Sequence, residues 1–222
     1  MVSIAFSANA LEMDNQLLKI VLFWFSLSYP ILGLIYFINK PKLFYKSKNS
    51  GKLSIISNLA ILPYFLIIYS IWFFKYKFSK ENKYDFFFEN YYIGKKLIYK
   101  DLPNDIEIVV DLTAELNEDY SIIQNKKYIS FPILDASIPD EVDFYLFIKE
   151  VSKLRSNIYI HCAEGHGRTA LVAIILYLIR NKKQSVEEAF EFIKGKRRKI
   201  KLNKEQESFL NKFVKSEYFL NI

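Results

Sequence analysis

The sequence predicts an α/β domain with a central mixed sheet flanked by helices, preceded by a transmembrane helical hairpin. Three observations carry this fold class. Two long uncharged runs lie in the first third of the 222 residues, the composition turns to mixed charge near residue 79, and strand-like and helix-like apolar patterns alternate from there to the C-terminus. Residues 1–78 are read as a membrane anchor and residues 79–222 as one globular domain.

The first uncharged run, residues 20–38, has 19 residues and the second, 53–74, has 22. At about 1.5 Å per residue each can cross a hydrocarbon layer of roughly 30 Å. Trp24, Trp72 and Tyr76, with Lys75 and Lys77, suit interface anchors, and Pro30 and Pro63 inside the runs are common in membrane helices. A cleaved leader is not expected, because Glu12 and Asp14 precede the first run and no small-residue cleavage site follows it. Residues 39–52 form the polar turn between the spans.

The formal net charge is +7, and residues 1–78 hold 8 Lys and 2 acidic residues while the remainder holds 23 basic and 22 acidic. The excess therefore flanks apolar segments and does not mark a nucleic-acid-binding domain. Cys162 is the only cysteine, which excludes an intrachain disulfide and a four-cysteine zinc site.

In the globular part, residues 91–99, 106–112, 128–134 and 157–162 are rich in Ile, Val, Tyr and Phe and are predicted as strands. Val142, Tyr145, Ile148 and Val151 recur at helical spacing after Asp140, a candidate N-cap. Residues 169–180 form a largely apolar helix, Ser185 and Glu188 a capping box for the next, and Asn203 a cap for a last helix that turns Phe209, Leu210 and Phe213 inward. The run 180–204, with 10 basic and 3 acidic residues, reads as a solvated helix face or as a patch for anionic lipid or an acidic substrate.

The chemistry concentrates in Ile158-Tyr159-Ile160-His161-Cys162-Ala163-Glu164-Gly165-His166-Gly167-Arg168-Thr169. A strand enters the lone cysteine, a short loop with two glycines follows, and an arginine stands at the mouth of a helix. Glycines let backbone N–H groups converge, a helix N-terminus adds positive potential, and a guanidinium fork holds two phosphoryl oxygens. The same field favours a thiolate over a thiol. With only two histidines and one cysteine in the chain, His166 is read as a rim residue of this cradle and not as a metal ligand.

His161-Cys162 through Arg168-Thr169 resembles the His-Cys-x5-Arg-Thr/Ser signature of the cysteine-dependent protein tyrosine phosphatases, and the region from Tyr91 to about Val214 resembles their dual-specificity branch. Ile108-Val109-Val110-Asp111-Leu112-Thr113 with Glu115, and Phe131-Pro132-Ile133-Leu134-Asp135, also match; Ala170 stands where relatives often have glycine. The resemblance implies Cys162 as the nucleophile. The backbone of Ala163, Glu164, Gly165, His166 and Gly167, together with Arg168, would bind the phosphate. Asp135 is implied as general acid and then base, with Asp140 or Asp143 as rivals. Thr169 would donate a hydrogen bond to the departing sulfur, and His161 would hold the loop. No metal or other cofactor is implied, and Asp111 and Glu115 are read as structural.

The expected activity is a membrane-anchored phosphatase acting on phosphotyrosine in proteins, with phosphoserine and phosphothreonine as further substrates. A phospholipid head-group monophosphate is the alternative substrate; Glu164 places negative charge where lipid phosphatases of the superfamily often carry lysine, which argues against polyphosphoinositides. An inactive phosphate-binding or tethering module is the alternative of another class. Orientation is not fixed by lysines, since Lys40, Lys42, Lys46, Lys48 and Lys52 in the turn balance Lys19, Lys75, Lys77, Lys80 and Lys83. A thiol nucleophile needs a reducing compartment, which places residues 79–222 in the cytoplasm.

Overall fold

The computed structural model describes residues 2–44, 46–47 and 49–222, so Tyr45 and Lys48 of the expected turn lie outside the described residues. The chain forms two compact units, one comprising most of the chain up to Ser79, the other most of the chain from Lys80 onward.

In the first unit α1 (Val2–Glu12) precedes α2 (Gln16–Phe37), whose N-terminus is capped by the Asn15 carboxamide at 3.2 Å from Leu18 N. Phe6 of α1 packs against Phe25 and Tyr29 of α2. The 22-residue α2 is long and apolar enough to cross a membrane, and among the described residues it is the only helix that is.

The expected second span is corrected: residues 53–74 do not form one continuous helix. They divide into α3 (Ile55–Ala60) and α4 (Leu62–Phe78), so the transmembrane hairpin reduces to one candidate spanning helix. Pro63 is the physical cause. It has no N–H to give Leu59 O, its ring crowds that carbonyl, and it sits in the first turn of α4, where a missing donor costs least. The two carbonyls released at the break are taken up by α2: Trp24 Nε1 donates to Leu59 O and Ser28 Oγ to Ala60 O, both at 2.8 Å. Trp24 thus satisfies a backbone group where sequence suggested an interface anchor.

The second unit is a five-stranded mixed sheet in the order β1-β2-β5-β3-β4. Its strands are β1 (Tyr84–Phe88), β2 (Tyr91–Lys95), β3 (Ile108–Thr113), β4 (Lys127–Ile133) and β5 (Ile158–Cys162). β1 runs antiparallel to β2, and all other pairings are parallel. β1 is an addition to the expected strands. The expected strand 91–99 stops at Lys95, because the next N–H, that of Lys96, leaves the sheet to donate to Ala163 O at 3.2 Å.

The helices are α5 (Tyr120–Asn125), α6 (Glu141–Val151), α7 (Gly167–Arg180), α8 (Val186–Lys196), α9 (Lys204–Phe213) and α10 (Glu217–Leu220). Asp140 caps α6 by accepting from Val142 N and Asp143 N, and complete capping boxes start α8 (Ser185, Glu188) and α9 (Asn203, Gln206). The buried stripe of α6 is Phe144, Phe147, Ile148 and Val151; Val142, expected inside, is 46% exposed. From Arg168 to Leu178 every residue of α7 is buried, as a helix enclosed by sheet and neighbouring helices requires.

The two-residue period of β5 sets the site. Ile158, Ile160 and Cys162 face the helical core, while Tyr159 and His161 stack on each other with ring centroids 5.6 Å apart. Cysteine and histidine, adjacent in sequence, therefore serve opposite sides of the sheet end.

Candidate active site

Beyond β5 the chain makes a tight loop before α7 begins at Gly167. Gly165 takes φ +73°, and a Cβ there would overlap the carbonyl group of Gly94 and stand 2.7 Å from Lys95 N. Only glycine fits both the conformation and the approach to β2.

The loop carbonyls are held on one side. Ala163 O accepts from Lys96 N–H, while Arg197 donates Nη2 to Glu164 O at 3.1 Å and Nε to Gly165 O at 2.9 Å. A trans peptide places its C=O and the next N–H on opposite sides. The amides of Glu164, Gly165 and His166 are thereby turned the other way, and the Gly165 N–H donates to Cys162 Sγ at 3.3 Å. Converging amides and the N-terminus of α7 make an anion cradle around the sulfur. Cys162 itself is 3% exposed and forms no disulfide.

Arg168 is buried at the first turn of α7. Its Nη1 donates to Ile133 O at 3.0 Å, and its Nη2 lies 3.2 Å from Asp135 Oδ1. Asp135, with a side chain 71% exposed, stands just past the end of β4. Asp140 is occupied as the cap of α6, and Asp143 lies in the first turn of that helix. Of the three aspartates weighed from sequence, Asp135 is ion-paired to the cradle arginine. Thr169 is fully buried, and its hydroxyl has no hydrogen-bond partner among the described residues.

His161 Nδ1 lies 3.4 Å from Cys162 O, and its Nε2 lies 2.9 Å from Glu118 Oε2. The other oxygen of Glu118 accepts from the Lys96 ammonium. Burial acts to raise the Glu118 pKa, but the attraction of Lys96 and His161 outweighs it and holds the carboxyl below its ordinary value. Asp111, Glu118 and His161 offer ligand atoms within 4.8 Å of one another, as a metal site would. Each is nevertheless committed: Glu118 to Lys96 and His161, and Asp111 to the Thr113 backbone N–H, the Thr113 hydroxyl and Tyr128 Oη. The cluster is a buried polar network behind the cysteine.

That network gives a pH prediction. A folded-state pKa below the unfolded value adds stability that is complete above the unfolded value and is lost as pH falls through the folded one. Denaturant titrations from pH 7 down to pH 3 should therefore show an acid-side loss of stability. Glu118→Gln should remove this component and lower stability by about 3 kcal/mol at neutral pH, because Lys96 loses its buried counter-charge.

His166, read as a rim residue, is largely buried; Nε2 lies 2.9 Å from Glu81 Oε1 and Nδ1 lies 3.5 Å from Glu164 Oε2. Sequence reasoning missed the supports of the site. Arg197 lies in the basic run read as a solvated face or anion-binding patch, yet it is 1% exposed and is balanced by Asp85 at 2.7 Å and Glu81 at 3.0 Å. Arg198 and Lys199 beside it are exposed, and no feature of the sequence separates Arg197 from them.

Residues 92–216 match the model of the dual specificity phosphatase catalytic domain, more than half of the chain. The chain belongs to this family. Among curated relatives, the Putative tyrosine phosphatase 197R of Invertebrate iridescent virus 6 is 40% identical over 84 residues. That match spans about a third of each protein, 33% of this chain and 32% of the viral one. The Phosphatidylglycerophosphate phosphatase PTPMT2 of Arabidopsis thaliana is 28% identical over 165 residues, covering 69% of this chain and 72% of the plant protein. The crystal structure of PTPMT1 in complex with PI(5)P superimposes with a TM-score of 0.53 at 18% identity, over 63% of this chain and 99% of that chain, a likeness of fold.

Proposed function

We propose that the chain is a cysteine-dependent phosphomonoesterase acting on the monophosphate head group of a glycerophospholipid at a membrane surface. The reaction is supported by one arrangement: Cys162 Sγ under the Gly165 amide, with Arg168 beside it and ion-paired to Asp135. The sulfur attacks phosphorus and the P–O ester bond breaks. Protonated Asp135 gives its proton to the leaving oxygen, while the loop amides and Arg168 hold charge on the equatorial oxygens. In the second half, Asp135 takes a proton from water, the water oxygen attacks phosphorus and the P–S bond breaks. The Thr169 hydroxyl, buried without another partner among the described residues, donates to the departing sulfur. His161 positions the loop from behind.

The lipid substrate is supported by the plant relative, whose match extends over more of the chain than the family model does, and by the apolar α2. Phosphotyrosine in proteins is the second reading, favoured by the name of the viral relative. The reading keeps the catalytic unit on the cytoplasmic side, where Cys162 stays reduced. An inactive phosphate-binding module finds no support in a site where nucleophile, arginine and acid all stand together.

Purified full-length protein presented in parallel with vesicles containing a phosphoglycerol lipid, a phosphotyrosine peptide and a phosphothreonine peptide should show its highest kcat/KM on the lipid. A phosphotyrosine peptide preferred by tenfold would replace that assignment with the second reading. Asp135→Asn should slow an alkyl phosphate by about 10²-fold or more, while an aryl phosphate with an activated leaving group loses less than about tenfold. If Asp140→Asn or Asp143→Asn shows that dependence, the acid is that residue.

A further inference from the structure

The loop that carries Asp135 is closed by a turn in which Ser137 N–H donates to Leu134 O at 3.2 Å. Asp135 is exposed, and the next residue, Ala136, holds a left-handed φ of +57°, a conformation costly for a residue with a Cβ. Two further hydrogen bonds reach the loop from the N-terminus of α9. Asn203 Nδ2 donates to Ala136 O at 2.6 Å, and Gln206 Nε2 donates to Ser137 O at 3.1 Å.

These two side chains are also the capping box of α9. Asn203 Oδ1 accepts from Gln206 N at 2.8 Å, and Gln206 Oε1 accepts from Asn203 N at 3.2 Å. A capping box needs only the acceptor oxygens, so a Glu would serve at 206 as well as a Gln. The carboxamide nitrogen is surplus to the cap, and it is spent on the acid loop. Gln206 is 2% exposed, and its Oε1 would stand 3.3 Å from a Cβ placed on Gly167, the first residue of α7 and the one before Arg168. One buried side chain thus joins the helix cap to the acid loop, and it leaves no room for a larger residue at Gly167 without an adjustment.

We propose that Gln206 is a positioning residue for general-acid catalysis: it fixes the 135–137 loop against the cradle so that Asp135 stays over Arg168 and the leaving oxygen. The proposal rests on Asp135 as the acid. It makes no direct contact with phosphate part of the role of Gln206, which separates its effect from damage to the cradle.

The test is Gln206→Glu in the full-length protein. Glutamate retains the capping acceptor but turns a carboxylate oxygen toward Ser137 O, so the helix cap survives and the loop tether is lost. For an alkyl phosphate, kcat should fall by about tenfold, part of the loss expected for the acid itself. For an activated aryl phosphate kcat should stay within twofold, and competitive inhibition by inorganic phosphate should be unchanged. Hydrogen exchange should accelerate at the amides of residues 134–138 and not at 163–168. Equal loss on both substrates, weaker phosphate inhibition, or wild-type exchange at 134–138 would each overturn the proposal. Gln206→Met, which removes both the cap acceptor and the tether, should show the same leaving-group dependence together with a lower thermal midpoint. If Asp135→Asn lacks leaving-group dependence, the acid assignment fails by itself, and the exchange at 134–138 still decides whether Gln206 holds the loop.

Discussion

Cys162→Ser is expected to reduce turnover of every phosphomonoester by about 10⁴-fold or more, while inorganic phosphate still binds. Serine keeps the shape of the site, and the Gly165 amide and Arg168 still face the same space. A hydroxyl at that position has no base beside it, since His161 points to Glu118 on the opposite side of the sheet end. Single-turnover measurements with labelled substrate should detect a phosphoenzyme in the wild type and none in the variant. Appreciable steady-state turnover by Cys162→Ser would exclude the covalent route.

Arg168→Lys should lower kcat/KM by about 10³-fold and weaken inhibition by inorganic phosphate more than tenfold. Two losses combine. An ammonium cannot make a bidentate contact with phosphate oxygens, and it cannot also reach Ile133 O and Asp135, which the guanidinium does with separate nitrogens. The acid loop therefore loses an anchor, so the deficit should be larger for alkyl than for activated aryl phosphates. A uniform deficit across leaving groups would show that Arg168 acts on phosphate alone.

The cradle was legible as a structure because it is written contiguously: strand, cysteine, glycine loop, arginine and helix occupy twelve successive residues. Asp135 was legible only with rivals, since three aspartates lie within nine residues and sequence does not say which one faces an arginine 33 positions away. The parallel strands and capped helices were visible in periodicity and capping residues. What escaped was set by tertiary partners. β1 has an aromatic-rich sequence close behind another aromatic run, and it becomes a strand by pairing with β2. Arg197 resembles its exposed neighbours until the carbonyls it grips are in place. The second apolar run had the composition of a span, but Pro63 broke its continuity at a point where Trp24 and Ser28 could accept the consequence.

The packing of Gly165 on β2 carries a lesson for anyone who would graft this chemistry elsewhere. The loop closes against the backbone of a neighbouring strand, where a Cβ on Gly165 would overlap the carbonyl group of Gly94. Gly94 is in turn required by the sheet, since a Cβ there would stand within 3 Å of Tyr159 Oη, Lys83 O and Tyr84 Cα. The loop glycine therefore answers to a stretch of backbone 71 residues upstream of it. Transplanting residues 161–169 onto another parallel strand would carry every proposed reacting group and still fail to form the pocket, unless the recipient's adjacent strand brought its backbone to the same place.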